Sequence, residues 1–173
     1  MRIKIDQVNN DLMTGPGDIY AKEIAGAGNA FAYAIYKHSK LPLRVFEAAR
    51  LATAMINGCQ ICMAWQSKRD VHQMGITDGV ISNGEVPDEK FYSTILNNNF
   101  DDLSEQELMA IKFAQGMGRD PKQLSADENF WKEIKTVFTD AEITDLAYCI
   151  AGWMGMGRVA HVLGLDKGCE ISR

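Results

Sequence analysis

Two cysteines at CxxC spacing are the residues of this chain most able to do chemistry. They lie in the stretch MINGCQICMAWQSK, residues 55 to 68, as Cys59 and Cys62. Thiols three positions apart on a helix share a face, so the pair can close a disulfide or offer two ligands to a metal ion. A chain with four cysteines does not indicate a disulfide scaffold, and a close pair favours redox chemistry or metal binding. Packing as two small core side chains is the third interpretation.

Cofactor binding is not required by any motif in the sequence. Zinc normally takes four ligands, and the chain has no second CxxC and no HxxxH. The remaining candidate ligands are scattered: His72, His161, Cys149 and Cys169. Haem attachment is excluded because Met63, not histidine, follows Cys62. The glycine-rich stretches GAGNAF and GWMGMGR follow no strand and so do not predict a nucleotide loop. A redox pair without metal or organic cofactor is the favoured interpretation.

The residues around the CxxC predict a helical hairpin. Asn57 and Gly58 mark a break between two helices, since glycine supplies the left-handed residue that commonly ends one. Glu47 lies ten residues before Asn57, and Gln66 lies eight after Gly58, so the two should sit at about the same level. Cys62 lies four residues before Gln66 and should share its face. The spacing therefore predicts two thiols, an amide and a carboxylate along one seam.

This seam has chemical consequences. Cys59 should lie in the first turn of its helix, where unpaired N–H groups and partial positive charge favour a thiolate. Glu47 stands in PLRVFEAARLATAMI, and burial there would favour the protonated carboxyl, which could then carry protons. The alternative for Glu47 is a surface ion pair with Arg44 or Arg50.

The elements that position these residues are predicted to be helices throughout. Residues 1–17 are expected to form an N-terminal arm, and residues 18–173 a single all-α domain of about seven helices. Helical pattern covers residues 18–39, 43–56, 59–74, 88–98 and 139–163. Three sequences, SEQE, SADE and TDAE, match the capping box and predict helix starts at Ser104, Ser125 and Thr139.

Composition excludes some classes of function. The net charge of −5 argues against a nucleic-acid partner, which would need a basic face. No apolar run has the length of a signal peptide or of a membrane span of about 20 residues. We therefore expect a cytoplasmic protein that contacts neither nucleic acid nor membrane.

The arrangement of Glu47 and NGCQIC resembles the AhpD-like, carboxymuconolactone decarboxylase superfamily. Its usual pattern is a glutamate, eleven residues, CxxC, and a histidine four residues after the second cysteine. QMGI at residues 73 to 76, LSEQELMAIKFAQGMGRDP and FTDAEITDLAYCIAGWMGMGRVAHVLGLD are similar to later segments of that superfamily. The resemblance covers roughly residues 40 to 166, and the spacing from Glu47 to the cysteines is its most specific part.

The resemblance implies an all-helical AhpD-like fold that works as a homotrimer or homohexamer. It also implies thiol-dependent reduction of hydroperoxides through a Cys59–Cys62 disulfide. Cys62 would attack the peroxide, Cys59 would resolve the sulfenic acid, and Glu47 would be the remote end of a proton relay. A dithiol donor, a lipoyl group or a thioredoxin-like protein, would reopen the disulfide.

One member of the relay is replaced. The superfamily histidine falls at Gln66, which can hydrogen-bond but cannot act as a general base. A water held by Gln66, or a histidine brought near in space (His38, His72 or His161), would have to replace it. Two rival functions stay open: a non-enzymatic redox sensor, which the replaced histidine favours, and a lyase of the carboxymuconolactone decarboxylase type, against which the retained CxxC argues.

Overall fold

The computed structural model describes residues 2–3 and 15–167, and this part of the chain is all-α, as predicted. It contains ten α-helices, three short 3-10 turns and no strand. The α-helices are α1 (Pro16–Tyr20), α2 (Lys22–His38), α3 (Leu43–Asn57), α4 (Gln60–Ala64), α5 (Ser67–Asp70), α6 (Glu89–Leu96), α7 (Glu105–Arg119), α8 (Pro121–Ala126), α9 (Glu128–Val137) and α10 (Asp140–Val162). The 3-10 turns are Val71–Met74, Gly79–Ser82 and Leu165–Lys167. Residues 4–14 of the predicted arm, and Cys169, lie outside the described residues.

Helix α3 is the centre of the fold. It packs most extensively against α7 and next against α10, and it also contacts α4 and α6. Twelve of its fifteen residues are buried, among them the fully enclosed Phe46 and Leu51. A helix that is buried all round needs apolar or paired side chains on every face, and this explains why the segment is almost continuously apolar. Because Glu47 and Arg50 lie within this helix, they are buried too.

Helix starts follow local capping chemistry at two of the three predicted positions. Ser104 and Thr139 form complete capping boxes with Glu107 and Glu142, which confirms both predictions. The predicted start at Ser125 is wrong, because Ser125 lies inside α8. The carboxylate of Asp127 instead accepts the Phe130 amide at 2.9 Å and begins α9.

The predicted helix over residues 59–74 is interrupted. Gly58, with φ +69°, ends α3 as expected, but α4 stops at Ala64 and the backbone is extended at Trp65 and Gln66. The cause is a set of competing hydrogen bonds. In a continuous helix the Gln66 amide would donate to the Cys62 carbonyl. Here Arg50 donates to that carbonyl at 2.6 Å, and the Gln66 amide donates to Asp70 at 2.8 Å.

The predicted helix over residues 18–39 is also divided. It breaks at Ala21, whose φ and ψ of −145° and 41° are not helical, into α1 and α2. The short amphipathic helix predicted over residues 88–98 is present as α6, with Asp88 as its N-cap. In the described part of the chain, no helix combines the length and the apolar character needed to cross a membrane.

The capping assignment around α9 predicts a difference between two neighbouring substitutions. Asp127→Ala should lower the free energy of unfolding by about 1 kcal/mol, because it removes an N-cap. Ser125→Ala should change it by less than about 0.5 kcal/mol, because that side chain is exposed and caps nothing. Urea denaturation of the two variants measures both values. If Ser125→Ala lowered the free energy of unfolding by as much as Asp127→Ala or more, Ser125 would be the helix cap that the sequence suggests, and the assignment of Asp127 would be wrong.

Candidate active site

The two cysteines form a disulfide at the start of α4. Cys59 is the N-cap residue of this helix, and its Cα lies 5.2 Å from that of Cys62. The two sulfurs differ in their surroundings. Cys59 is completely buried, whereas Cys62 is partly exposed. The pair is therefore asymmetric, and a molecule arriving from solvent reaches Cys62 first.

Cys62 lines an apolar cavity of about 310 Å³. The indoles of Trp65 and Trp153 and the phenol of Tyr36 also line it, and Arg50 is the cationic residue there. The indole N–H of Trp65 is buried and finds no hydrogen-bond partner among the described residues, whereas the indole of Trp153 lies against the Tyr36 hydroxyl. Burial raises the pKa of Tyr36 well above its usual range, so its hydroxyl stays protonated. The cavity thus offers an apolar wall, one cationic side chain and one cysteine sulfur.

A buried ion pair holds the backbone of the CxxC segment. Arg50 donates from Nε and Nη2 to the two carboxylate oxygens of Glu47, at 2.7 and 3.0 Å. The same guanidinium donates to the carbonyls of Cys62 and Trp65, each at 2.6 Å. Burial alone would lower the pKa of Arg50, but the charge and hydrogen bonds of Glu47 outweigh it and the pKa lies above its usual range. Arg50 therefore stays charged and joins α3 to α4.

Glu47 is buried, as the apolar surroundings predict, but its partners are not those of the proposed seam. Besides Arg50, the hydroxyl of Ser67 donates to it, and the Ser67 amide lies 3.5 Å from its second oxygen. The alternative prediction, a surface ion pair, is correct in its partner, because Glu47 pairs with Arg50. It is wrong in the location, because both side chains are buried. Glu47 serves as the counter-ion of Arg50 and as a hydrogen-bond acceptor for the start of α5.

Gln66 does not lie on the seam with Cys62 and Glu47, and that part of the prediction is wrong. Its side-chain amide donates to both carboxylate oxygens of Glu89, at 2.9 and 3.1 Å, near the surface. The predicted shared face required a continuous helix, and the extended backbone at residues 65–66 turns the side chain away. Ser67, one residue later, occupies the place beside Glu47 instead.

The three histidines proposed as substitutes have different positions. His38 and His72 are exposed. His161, near the end of α10, lies against the turn that leads into the CxxC, and its Nε2 is 3.2 Å from where a Cβ on Gly58 would stand. Its Nδ1 lies 2.8 Å from Asp166. The tertiary structure thus brings one histidine to the residue that precedes Cys59, and it does so from a helix about 100 residues further along the chain.

Two functional residues were missed by the sequence analysis or given a lesser role. Arg50 stands three residues after Glu47, a spacing typical of a helical ion pair, but the sequence suggested only a surface pair. Ser67 carries no local signal at all. Both act through contacts between different elements, and the local sequence pattern does not specify those contacts.

Metal binding finds no support among the residues that the structure describes, because no group of three or more His, Cys, Asp or Glu side chains is arranged to hold an ion. Cys149 is a free thiol, buried within α10, that donates to Asp145 at 3.3 Å. Burial raises the pKa of the Cys149 thiol above its usual range, so it is a poor nucleophile. A second cavity of about 390 Å³ is lined by Arg44, Glu85, Glu107 and other polar residues and contains no sulfur.

Comparison with known proteins identifies no relative of this chain. No family model, no curated protein and no solved structure matches this chain. The all-α class and the disulfide therefore rest on the geometry described above, and the likeness to the AhpD-like superfamily stays a prediction from sequence motifs.

The buried pair predicts a double-mutant result. Glu47→Gln should destabilise the protein by about 3–5 kcal/mol, because it leaves the Arg50 charge buried without a counter-ion. Combining it with Arg50→Met should cost less than the sum of the two single changes, with a coupling free energy of about 1–3 kcal/mol. Urea unfolding of the three variants measures this coupling.

The exposed pair of Lys112 and Glu133, 3.3 Å apart, is the matched control. Its coupling should stay below about 1 kcal/mol, because solvent screens both charges. Additive effects at Glu47 and Arg50, or a coupling no larger than that of the control, would contradict the role given to the buried pair.

Proposed function

We propose that this protein is a thiol-dependent oxidoreductase that reduces hydroperoxides through the Cys59–Cys62 pair. The observation that carries the proposal is the asymmetric disulfide, with Cys62 lining an apolar cavity and Cys59 buried behind it. A reactive cysteine needs an accessible position, and a resolving cysteine needs only to reach its partner. The wall of the cavity favours a peroxide that carries an apolar group.

The first step uses Cys62. Its thiolate attacks the terminal oxygen of the hydroperoxide ROOH, the O–O bond breaks, and the alkoxide leaves as ROH after taking a proton. Sulfur is oxidised by two electrons to the sulfenic acid, and the peroxide is reduced by two.

The second step uses Cys59. Its thiol attacks the sulfenic acid of Cys62, the S–O bond breaks, and water leaves as the disulfide forms. The Cα atoms are 5.2 Å apart, within the range that a disulfide requires, so closure needs no large movement. Arg50 supports this geometry because it holds the carbonyls of Cys62 and Trp65 in place.

The third step restores the dithiol. An external dithiol attacks the exposed sulfur of Cys62 and is itself oxidised to a disulfide, so that no metal, flavin or nucleotide takes part. By its resemblance to AhpD-like proteins, the donor is a lipoyl group or a thioredoxin-like protein. The same resemblance suggests a homotrimer or homohexamer. Exposed apolar side chains on α2 and α10, namely Ile24, Phe31, Tyr148, Val159 and Val162, support self-association.

Peroxide consumption with a dithiol reductant tests the proposal. Wild type should consume cumene hydroperoxide faster than hydrogen peroxide, because the cavity favours an apolar substituent. Cys62→Ser should abolish turnover. With the dithiol left out, Cys59→Ser should consume one equivalent of peroxide and keep Cys62 as the sulfenic acid, because no thiol within the site can resolve it. Consumption of peroxide in a coupled assay, and mass spectrometry of the trapped sulfenic acid, are the measurements.

Cys149→Ser is the matched control, because it alters a buried thiol outside the site and keeps a donor for Asp145. It should turn over at the wild-type rate. If wild type forms the disulfide with peroxide but shows no turnover with any dithiol, the redox-sensor alternative replaces the enzyme. If peroxide does not oxidise the pair at all, the proposed function is wrong.

A further inference from the structure

We propose that His161, oriented by Asp166, accepts the proton of the Cys59 thiol when the disulfide closes and passes it to the hydroxide that leaves Cys62 as water. This inference rests on the proposed function, since it assigns the base for its second step. Cys59 is wholly buried, so solvent cannot readily take its proton. A free thiol has a pKa of about 8.5 and reacts only as the thiolate, which makes a nearby base valuable.

The position of His161 supports this role. The left-handed Gly58 joins α3 to Cys59, and a Cβ at Gly58 would lie 3.2 Å from His161 Nε2 and 3.3 Å from Cε1. The imidazole therefore packs directly on the residue that precedes Cys59. One turn earlier on α10, Gly157 packs on Asn57, so the helix follows the hairpin turn closely.

Asp166 sets the chemistry of the ring. Its Oδ2 lies 2.8 Å from His161 Nδ1 and also accepts the Gln60 amide at 3.2 Å. Burial raises the pKa of Asp166, but the hydrogen bonds from His161 and Gln60 outweigh it, so the pKa lies below its usual range. A carboxylate can only accept, so Nδ1 carries the hydrogen of the neutral ring. Nε2, which faces Gly58, is then the free nitrogen that can take a proton.

The buried charge of Asp166 near the turn gives a second reason for a proton on His161. The carboxylate of Asp166 is buried against the start of α4, and its Oδ1 has no hydrogen-bond partner among the residues that the structure describes. A negative charge there would by itself disfavour a thiolate at Cys59. A proton received by His161 balances that charge. The nearest cation earlier on α10, Arg158, donates instead to the Gly118 carbonyl at 2.9 Å.

The reaction of the reduced protein with an aryl disulfide, dithiobis(nitrobenzoate), separates the two thiols. The Cys62 thiolate attacks the reagent, the S–S bond breaks, and one coloured aryl thiolate leaves. Cys59 then attacks the mixed disulfide on Cys62, a second aryl thiolate leaves, and the thiol proton passes to His161. The first phase of colour release reports Cys62 and the second reports closure by Cys59. No peroxide takes part, so this test is independent of the peroxidase assay. A background of Cys149→Ser and Cys169→Ser removes the other thiols.

We expect His161→Gln to slow the second phase about 10²-fold at neutral pH and to leave the first phase unchanged. The difference in second-phase rate between His161→Gln and wild type should shrink as pH rises. The variant depends on thiolate that forms without a base, and below a thiol pKa of about 8.5 the thiolate fraction rises about tenfold per pH unit. Asp166→Asn should slow the second phase by a smaller factor, since the ring stays but its orientation is lost. His72→Gln, at an exposed histidine, is the matched control and should match wild type in both phases.

A second variant distinguishes loss of the base from a packing defect at the hairpin turn. In His161→Ala, added imidazole should restore the second phase, which a packing defect would not allow. The inference is overturned if His161→Gln closes at the wild-type rate and pH profile, or if both phases slow equally without rescue by imidazole. Normal closure in wild type without peroxide turnover would refute the proposed function while leaving the role of His161 intact.

Discussion

The buried ion pair between Glu47 and Arg50 is the interaction on which the rest of the site depends. A buried guanidinium needs a counter-ion and hydrogen-bond acceptors, because its desolvation would otherwise destabilise the fold. Glu47 takes two of the hydrogen bonds, and the carbonyls of Cys62 and Trp65 take two more. The contact with the Cys62 carbonyl helps to end α4, because Arg50 competes for the acceptor that the Gln66 amide would use in a continued helix.

The short length of α4 decides which side chains meet the thiols. Since the helix ends at Ala64, Gln66 turns toward Glu89, and Ser67 takes the place beside Glu47. The same break leaves Trp65 beside the cavity that Cys62 lines. The extended backbone at Trp65 and Gln66 therefore decides that the Gln66 side chain points away from Cys62.

The disulfide divides the two cysteines between two environments. Cys62 lines an apolar cavity to which α3 contributes Arg50. Cys59 follows Gly58, the turn residue on which His161 of α10 packs. Acid–base groups near a thiol pair need not come from its own helix, because only their distance and orientation matter. Asp166 joins the two sides, since it bonds both the imidazole and the first amide of α4.

Local patterns in the sequence determined the all-α class, the helix starts at Ser104 and Thr139, and the end of α3 at Gly58, because capping and left-handed glycine depend on a few neighbouring residues. CxxC spacing likewise made a disulfide possible. The sequence did not reveal the break at residues 65–66, nor the position of His161. Both depend on contacts between distant segments, such as Asp166 with Gln60, 106 residues apart. Tertiary structure alone decides which polar groups compete for the same backbone atoms and which side chains meet across helices.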